Sequence, residues 1–276
     1  MRVVSLAPSA TATVAALGGS DRLVGVTAHS RDIDAPVVGG WLNPDFETVA
    51  DLDPDIVLTS DALQRDVRDD LCDRGFDVHH VEPATLDDVL STFAAIGDAV
   101  GLPDAGTELE AESRERVREI EARVADQREA TERANGEGLR SSNRSSGQSP
   151  REDGEERPVS RAPDDGPVVY CEEWSDPPMA AGNWVPDVVE AAGGRYPFVD
   201  AGERSREVEA STVEAADPEH AVVHVCGKGD SVDPDFDGRG WTFDADVHVI
   251  DDSLLNQPSP RLLDGLETLA ARIHGD

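Results

Sequence analysis

Short β-branched runs alternate with helical stretches through the first hundred residues. Val3-Val4-Ser5-Leu6, Leu23-Val24-Gly25-Val26-Thr27, Asp55-Ile56-Val57-Leu58-Thr59 and Asp77-Val78-His79-His80-Val81 have the length and composition of strands. The stretches 10–18, 62–74 and 86–101 between them carry helical periodicity. The same grammar returns near the other end. Val168-Val169-Tyr170-Cys171, Ala221-Val222-Val223-His224-Val225 and Asp246-Val247-His248-Val249-Ile250-Asp251 read as strands, with helices near 184–192, 207–216 and 259–274. Apolar runs separated by helices predict βαβ units and parallel sheets, hence an α/β fold. Gly18-Gly19 follows a helix and reads as its stop signal.

A different pattern joins the halves. From Thr107 to about Arg133, Leu109, Val117, Ile120 and Val124 recur at helical spacing with Glu and Arg on the other faces. This predicts one helix about 40 Å long, enough to cross the back of two lobes. Residues 135–166 hold Ser, Gly, Pro and charge with almost nothing to bury, which predicts disorder. The expected division is therefore a lobe at 1–105, a bridging helix at 106–134, an insertion at 135–166 and a second lobe at 167–276. In open parallel sheets ligands sit beyond the carboxyl ends of the strands, so residues following each strand are the candidates.

Charge narrows the function. With 58 acidic and 24 basic side chains the formal charge is −34, and Lys228 is the one lysine. That field repels phosphate backbones and anionic lipid, which excludes nucleic-acid and basic membrane-surface roles. An acid excess so poor in Lys points to a salt-rich habitat. The three cysteines, Cys72, Cys171 and Cys226, contain no C-x-x-C and form no disulfide framework. No apolar run approaches membrane-span length. The opening MRVVSLAPSA enters a strand at once, so as written a cytoplasmic location is expected; an export signal upstream of a mis-set start would move it outside.

Candidate ligand groups follow the strands. Ser9 or Thr11 is expected to cap the helix after the first strand, with its N–H groups available to an anion. His29 lies in a polar loop and most simply makes hydrogen bonds. Trp41, in Gly39-Gly40-Trp41-Leu42-Asn43-Pro44, is either a lid on the lobe or a ligand platform. In the second half, Cys171-Glu172-Glu173-Trp174-Ser175-Asp176-Pro177-Pro178 and Ala181-Gly182-Asn183-Trp184-Val185-Pro186 place two tryptophans on loops at one sheet edge. With Trp41 opposite, three of the four tryptophans are expected to line one cleft suited to a large planar ligand. Cys171 and Cys226 both end expected strands and read as small buried residues rather than metal ligands. His79, His80, His224 and His248 read as packed within strands. No G-x-S-x-G, H-E-x-x-H or Walker A pattern is present, so an enzyme is not expected.

These residues resemble a family. Val3-Val4-Ser5-Leu6-Ala7-Pro8-Ser9-Ala10-Thr11, Asp21-Arg22-Leu23-Val24-Gly25-Val26 and Leu52-Asp53-Pro54-Asp55-Ile56-Val57-Leu58 are similar to the openings of substrate-binding proteins of cobalamin and iron-siderophore ABC transporters. The E-W-x-D-P-P segment at 173–178, Gly182-Asn183-Trp184-Val185-Pro186, Cys226-Gly227 and Asn256-Gln257-Pro258-Ser259-Pro260-Arg261-Leu262-Leu263 resemble the cobalamin-binding branch. The resemblance implies two Rossmann-like lobes bridged by one long helix, a rigid class of the periplasmic-binding fold, holding a corrinoid between them without chemistry and without a catalytic cofactor. The role implied is a substrate-binding component of ABC-type uptake or an intracellular corrinoid carrier; the alternatives are a ferric-siderophore or haem binding protein and, after that, an enzyme of corrinoid metabolism using the same cleft. Carried onto this chain, the contacts are Ser9, Thr11, His29, Trp41, Ser60, Glu173, Trp174, Asn183, Trp184 and Cys226. The family also presents a glutamate on each lobe to an ABC permease. Gln64-Arg65-Asp66-Val67-Arg68 offers no clear equivalent, and Glu207 or Glu209 stands in the second lobe. With neither signal nor lipid anchor, the chain resembles the soluble members more than the exported ones.

Overall fold

The structure, a computed structural model, describes residues 1–30, 33–140 and 166–275. The first lobe runs β1 (Val3–Ser5), α1 (Pro8–Ala16), β2 (Leu23–Val26), α2 (Phe46–Asp51), β3 (Ile56–Ser60), α3 (Arg65–Asp73), β4 (Val78–Val81) and α4 (Leu86–Ala99). Its sheet is wholly parallel in the order β2-β1-β3-β4. β1 and β3 are buried at every position, as expected of strands covered on both faces. Chain ends of helices are locally specified. Asp45 accepts from the Glu47 and Thr48 N–H groups to start α2, and Thr85 and Asp88 form a reciprocal capping box at α4. Gly18, at φ +75°, ends α1.

The bridging helix α5 spans Pro103–Arg140. It begins four residues before the expected Thr107 because Pro103 suits a first turn and Gly106 is needed for packing. A Cβ on Gly106 would sit 3.0 Å from the Gly97 Cα and the Phe93 carbonyl, so α4 and α5 cross backbone to backbone. The helix also continues through 135–140, where disorder was expected; residues 141–165 of that segment lie outside the described residues.

The second lobe runs β5 (Val169–Ser175), β6 (Pro178–Ala180), α6 (Val185–Ala191), β7 (Arg206–Glu207), α7 (Ala210–Ala216), β8 (His220–Val223), β9 (Asp246–Val249) and α8 (Leu262–His274). Its sheet has the order β7-β6-β5-β8-β9, with β5, β8 and β9 parallel and β6 and β7 antiparallel. The sheet is thus mixed rather than all parallel. The expected helix at 207–216 shortens to α7 because Arg206 and Glu207 pair with β6.

The two cores meet on the helix pair. Leu86, Val89, Leu90 and Phe93 of α4 and Val117, Ile120 and Val124 of α5 pack with the second lobe's apolar residues. One to two turns away, Ile96 and Val100 pack with Val3, Ala10, Val14 and Leu58 of the first lobe. Asp187 of α6 also accepts from the Leu86 N–H at 2.8 Å, so one helix's carboxylate serves the other's free first-turn donor.

Candidate functional site

The carboxyl end of the first sheet is a set of hydroxyls and exposed apolar side chains. Ala7, not Ser9 or Thr11, is the N-cap of α1, and no side chain caps it. Thr11 is buried; its Oγ1 lies 2.8 Å from Ser5 Oγ and 3.0 Å from the Ala7 carbonyl, and accepts from Ser30 Oγ at 3.2 Å. These bonds turn it inward. Ser9, two residues earlier in α1, is also buried, and its carbonyl accepts from Thr13 Oγ1 at 3.0 Å. Ser60 and Thr27, at the ends of β3 and just beyond β2, are buried with their hydroxyl oxygens unpartnered. Gln64 ties these strand ends together. Fully buried, it accepts from the Ser60 N–H at 2.8 Å and donates to the Leu6 carbonyl at 3.0 Å and the Trp41 carbonyl at 2.7 Å. The Trp41 turn is fixed by this amide, with Trp41 half-buried and Leu42 and Leu63 exposed nearby along the chain. His29 is exposed on the loop after β2.

The second sheet places its groups by a bulge. Glu172 opposes Ala180 and Trp174 opposes Met179, so Glu173 is an extra residue in β5. A bulge rotates the following side chain out of strict alternation. Glu172 points into the core while Trp174 is left 47% exposed, its indole N–H donating to the Asp176 carbonyl at 2.8 Å. Glu173 and Trp174 are therefore strand residues of a hairpin, not loop residues, and Cys171 is an interior, fully buried position of β5 rather than its end. Burial pushes the Glu173 carboxyl above its ordinary range, with a Ser205 hydroxyl bond opposing. After β8, Cys226 is exposed, its thiol raised by desolvation first and then by the Asp252 and Glu173 carboxylates beside it. Asp252 accepts from the Gly227 and Gly229 N–H groups, each at 2.8 Å, and so shapes the loop around Lys228.

The Gly182-Asn183-Trp184 turn has a different purpose. A Cβ on Gly182 would lie 2.4 Å from the Glu203 carbonyl and the Ser205 nitrogen, and Asn183 adopts φ +54°, a conformation Asn tolerates. Trp184 is 4% exposed, sits in the second core and donates its indole N–H to the Leu255 carbonyl at 2.8 Å. The expectation of three tryptophans in one cleft fails here: Trp184 and Trp241 are core residues, leaving Trp41 and Trp174 as accessible rings.

Residues 3–138 match the periplasmic binding protein family. The fold likeness covers more: 100% of this chain and 98% of the periplasmic vitamin B12 binding protein BtuF of Vibrio cholerae align at a TM-score of 0.71 and 19% identity. The family match ends within α5, so it covers the first lobe and most of the bridging helix, and the second lobe rests on the fold likeness. A periplasmic haem binding protein from Pseudomonas aeruginosa shares the fold equally, at a TM-score of 0.72 and 22% identity over 100% of this chain and 93% of that one. By sequence, a cobalamin-binding protein of Halobacterium salinarum is 36% identical over 135 residues, 45% of this chain. The matched segment spans 36% of that relative's length.

The informative surface is the pair of sheet ends just described. Of the ten expected contacts, His29, Trp174 and Cys226 are exposed and Trp41, Glu173 and Asn183 are half-buried, whereas Ser9, Thr11, Ser60 and Trp184 are buried. Gln64, Leu42, Leu63 and Asp252 were not expected. An apolar Leu beside a turn Trp was the available signal for Leu42; nothing in the sequence announces Gln64. Glu207 and Glu209 are exposed, on and just after β7. Among the described residues no helix is long and apolar enough to cross a membrane.

Proposed function

We propose that this protein binds a corrinoid of the cobalamin type between its two lobes, releases it unchanged, and delivers it to an ABC permease or to another acceptor. The observation that carries this reading is Trp174, a large ring left half exposed at the carboxyl end of β5 by the Glu173 bulge, where ordinary folding would bury it. Trp41, Leu42 and Leu63 offer a second apolar surface on the first lobe. Flat apolar faces with a few polar groups suit a broad, amide-fringed macrocycle. The names of the Halobacterium and Vibrio relatives support the same ligand. No covalent step is needed: the exposed titratable groups here bind and orient.

Haem is the second reading, favoured by the equal fold likeness to the Pseudomonas protein. Titration of the purified protein with cyanocobalamin and with haemin in high salt, followed by ligand absorbance and tryptophan quenching, separates them. Saturable one-to-one binding of cobalamin that survives excess haemin is the expected result. Saturable binding of haemin alone would replace the corrinoid reading.

A further inference from the structure

Next to Trp174 in the chain lies an ion pair, its carboxylate buried and its guanidinium half-buried, with no role in the contacts above. Glu172 is 1% exposed, and its carboxylate accepts from the Tyr170 hydroxyl at 3.1 Å, the Ser175 hydroxyl at 2.7 Å and Arg239 Nη1 at 3.1 Å. The same Nη1 lies 3.3 Å from the Ser175 carbonyl. The guanidinium lies over two adjoining rings, 4.6 Å from the Phe236 centroid and 4.8 Å from that of Trp241, which are themselves 5.6 Å apart. Both rings are buried and pack on Tyr170 of β5. Arg239 itself emerges from a tight turn in which its N–H donates to the Asp235 and Phe236 carbonyls and Gly238 N–H donates to Asp235 Oδ1.

An apolar residue of similar volume would serve stability as well as this pair, because desolvating two charges offsets most of their attraction. What the pair adds is direction. Its donors and acceptors are met only when Glu172, Ser175 and the 235–241 turn hold one arrangement, and Trp174 lies between two of those residues. We propose that Arg239 is a positioning residue for the ligand site: it fixes the bulged Trp174 hairpin against the 235–241 turn, so that one wall of the cleft is preformed. The inference rests on the corrinoid reading for its consequence in affinity, not for the order it imposes on Trp174.

The test is a paired variant, Glu172→Gln with Arg239→Met, which removes both charges without leaving one buried alone. Two readouts are taken in high salt: the fluorine spectrum of 5-fluorotryptophan protein without ligand, with the Trp174 resonance assigned by Trp174→Phe, and cyanocobalamin affinity. The expected result is a folded protein with unchanged circular dichroism, a broadened or split Trp174 resonance, and affinity lower by about tenfold through lost preorganisation. A single sharp Trp174 resonance at the wild-type position would overturn the proposal, as would unchanged affinity in a folded variant. Wild-type protein that binds no cobalamin would sink the corrinoid reading alone, and the resonance would still decide the role of Arg239. Should the paired variant not fold, Arg239→Lys takes its place. It keeps the charge but loses the planar stacking and the fork, and the same broadening is expected.

Discussion

His224 gives the sharpest prediction about stability. It is fully buried just beyond β8, and Asn256 reads it from two sides: the amide Nδ2 donates to the His224 carbonyl at 3.0 Å, which aims the amide oxygen at the ring's Nδ1. Nδ1 must therefore carry the proton, and Nε2 is a bare lone pair. That Nε2 is buried without a hydrogen-bond partner. Protonating it would create a buried N–H with no acceptor. Burial accordingly pushes the pKa from 6.5 down to about 4, opposed by the Asn256 bond and the Asp252 carboxylate. The unfolded chain takes up a proton as pH falls through 6.5, while the folded chain resists until about 4. The neutral ring thus contributes stability that is fully present above pH 6.5 and is lost as pH falls toward 4. At 1.36 kcal/mol per pKa unit the loss is about 3 kcal/mol.

The assay compares wild type with His224→Asn, which keeps a donor near the Nδ1 position but cannot titrate. Urea unfolding at fixed high salt is measured at several pH values between 7.5 and 4. The many carboxylates titrate in both proteins and cancel in the difference. The variant is expected to be less stable at pH 7.5 and to gain about 3 kcal/mol on wild type by pH 4. Parallel stability curves would refute the buried neutral imidazole.

Three further outcomes follow from the same geometry. Trp174→Ala is expected to weaken cobalamin binding by ~1–3 kcal/mol while leaving the thermal midpoint near wild type, measured by titration and by melting of the free protein; a lowered midpoint with unchanged affinity would make the ring structural. Trp184→Ala should cost ~3–5 kcal/mol of unfolding free energy in urea, because a core ring and its bond to the Leu255 carbonyl are both lost. Gly106→Val would drive a side chain into the Gly97 backbone and should lower stability by ~1–3 kcal/mol, with a steeper loss expected for the same change at Gly97, whose Cβ would meet the Gly106 Cα at 2.7 Å.

The buried parallel strands were plain in the sequence because a strand covered on both faces must be apolar at nearly every position, as β3 is. The bridging helix was plain for the opposite reason: a helix touching its partners along one narrow line needs only Val117, Ile120 and Val124 in register. What escaped depends on partners distant in sequence. The two-residue β7 has no pattern of its own and exists because β6 offers an edge. Helix α2 is too short for periodicity and is announced only by the Asp45 cap. Trp184 and Trp174 look alike in sequence, each followed within three residues by Pro. They differ because Trp184 heads a helix packed on the core, while a bulge one residue earlier turns Trp174 outward.

The joint between the lobes has consequences for how any ligand is taken up. In a hinged protein the lobes share little buried surface and closure is cheap. Here α4 belongs to both cores, with Phe93 packed on the second lobe and Ile96 on the first, only one turn apart. Separating the lobes would open one of these cores, and burying such side chains is worth roughly 1.5–3 kcal/mol each. Gly97 and Gly106 bring the two helix backbones into direct contact at that joint, which leaves little room for rolling. Selectivity must then come from walls already in place: the Gln64 amide holding the Trp41 turn, the Asp252 carboxylate holding the Cys226 loop, and the Arg239–Glu172 pair next to Trp174 in the chain. Each is a buried or shielded polar group that makes two or more bonds, and a rigid frame is what makes such bonds useful, because a wall that cannot follow the ligand has to be correct before it arrives.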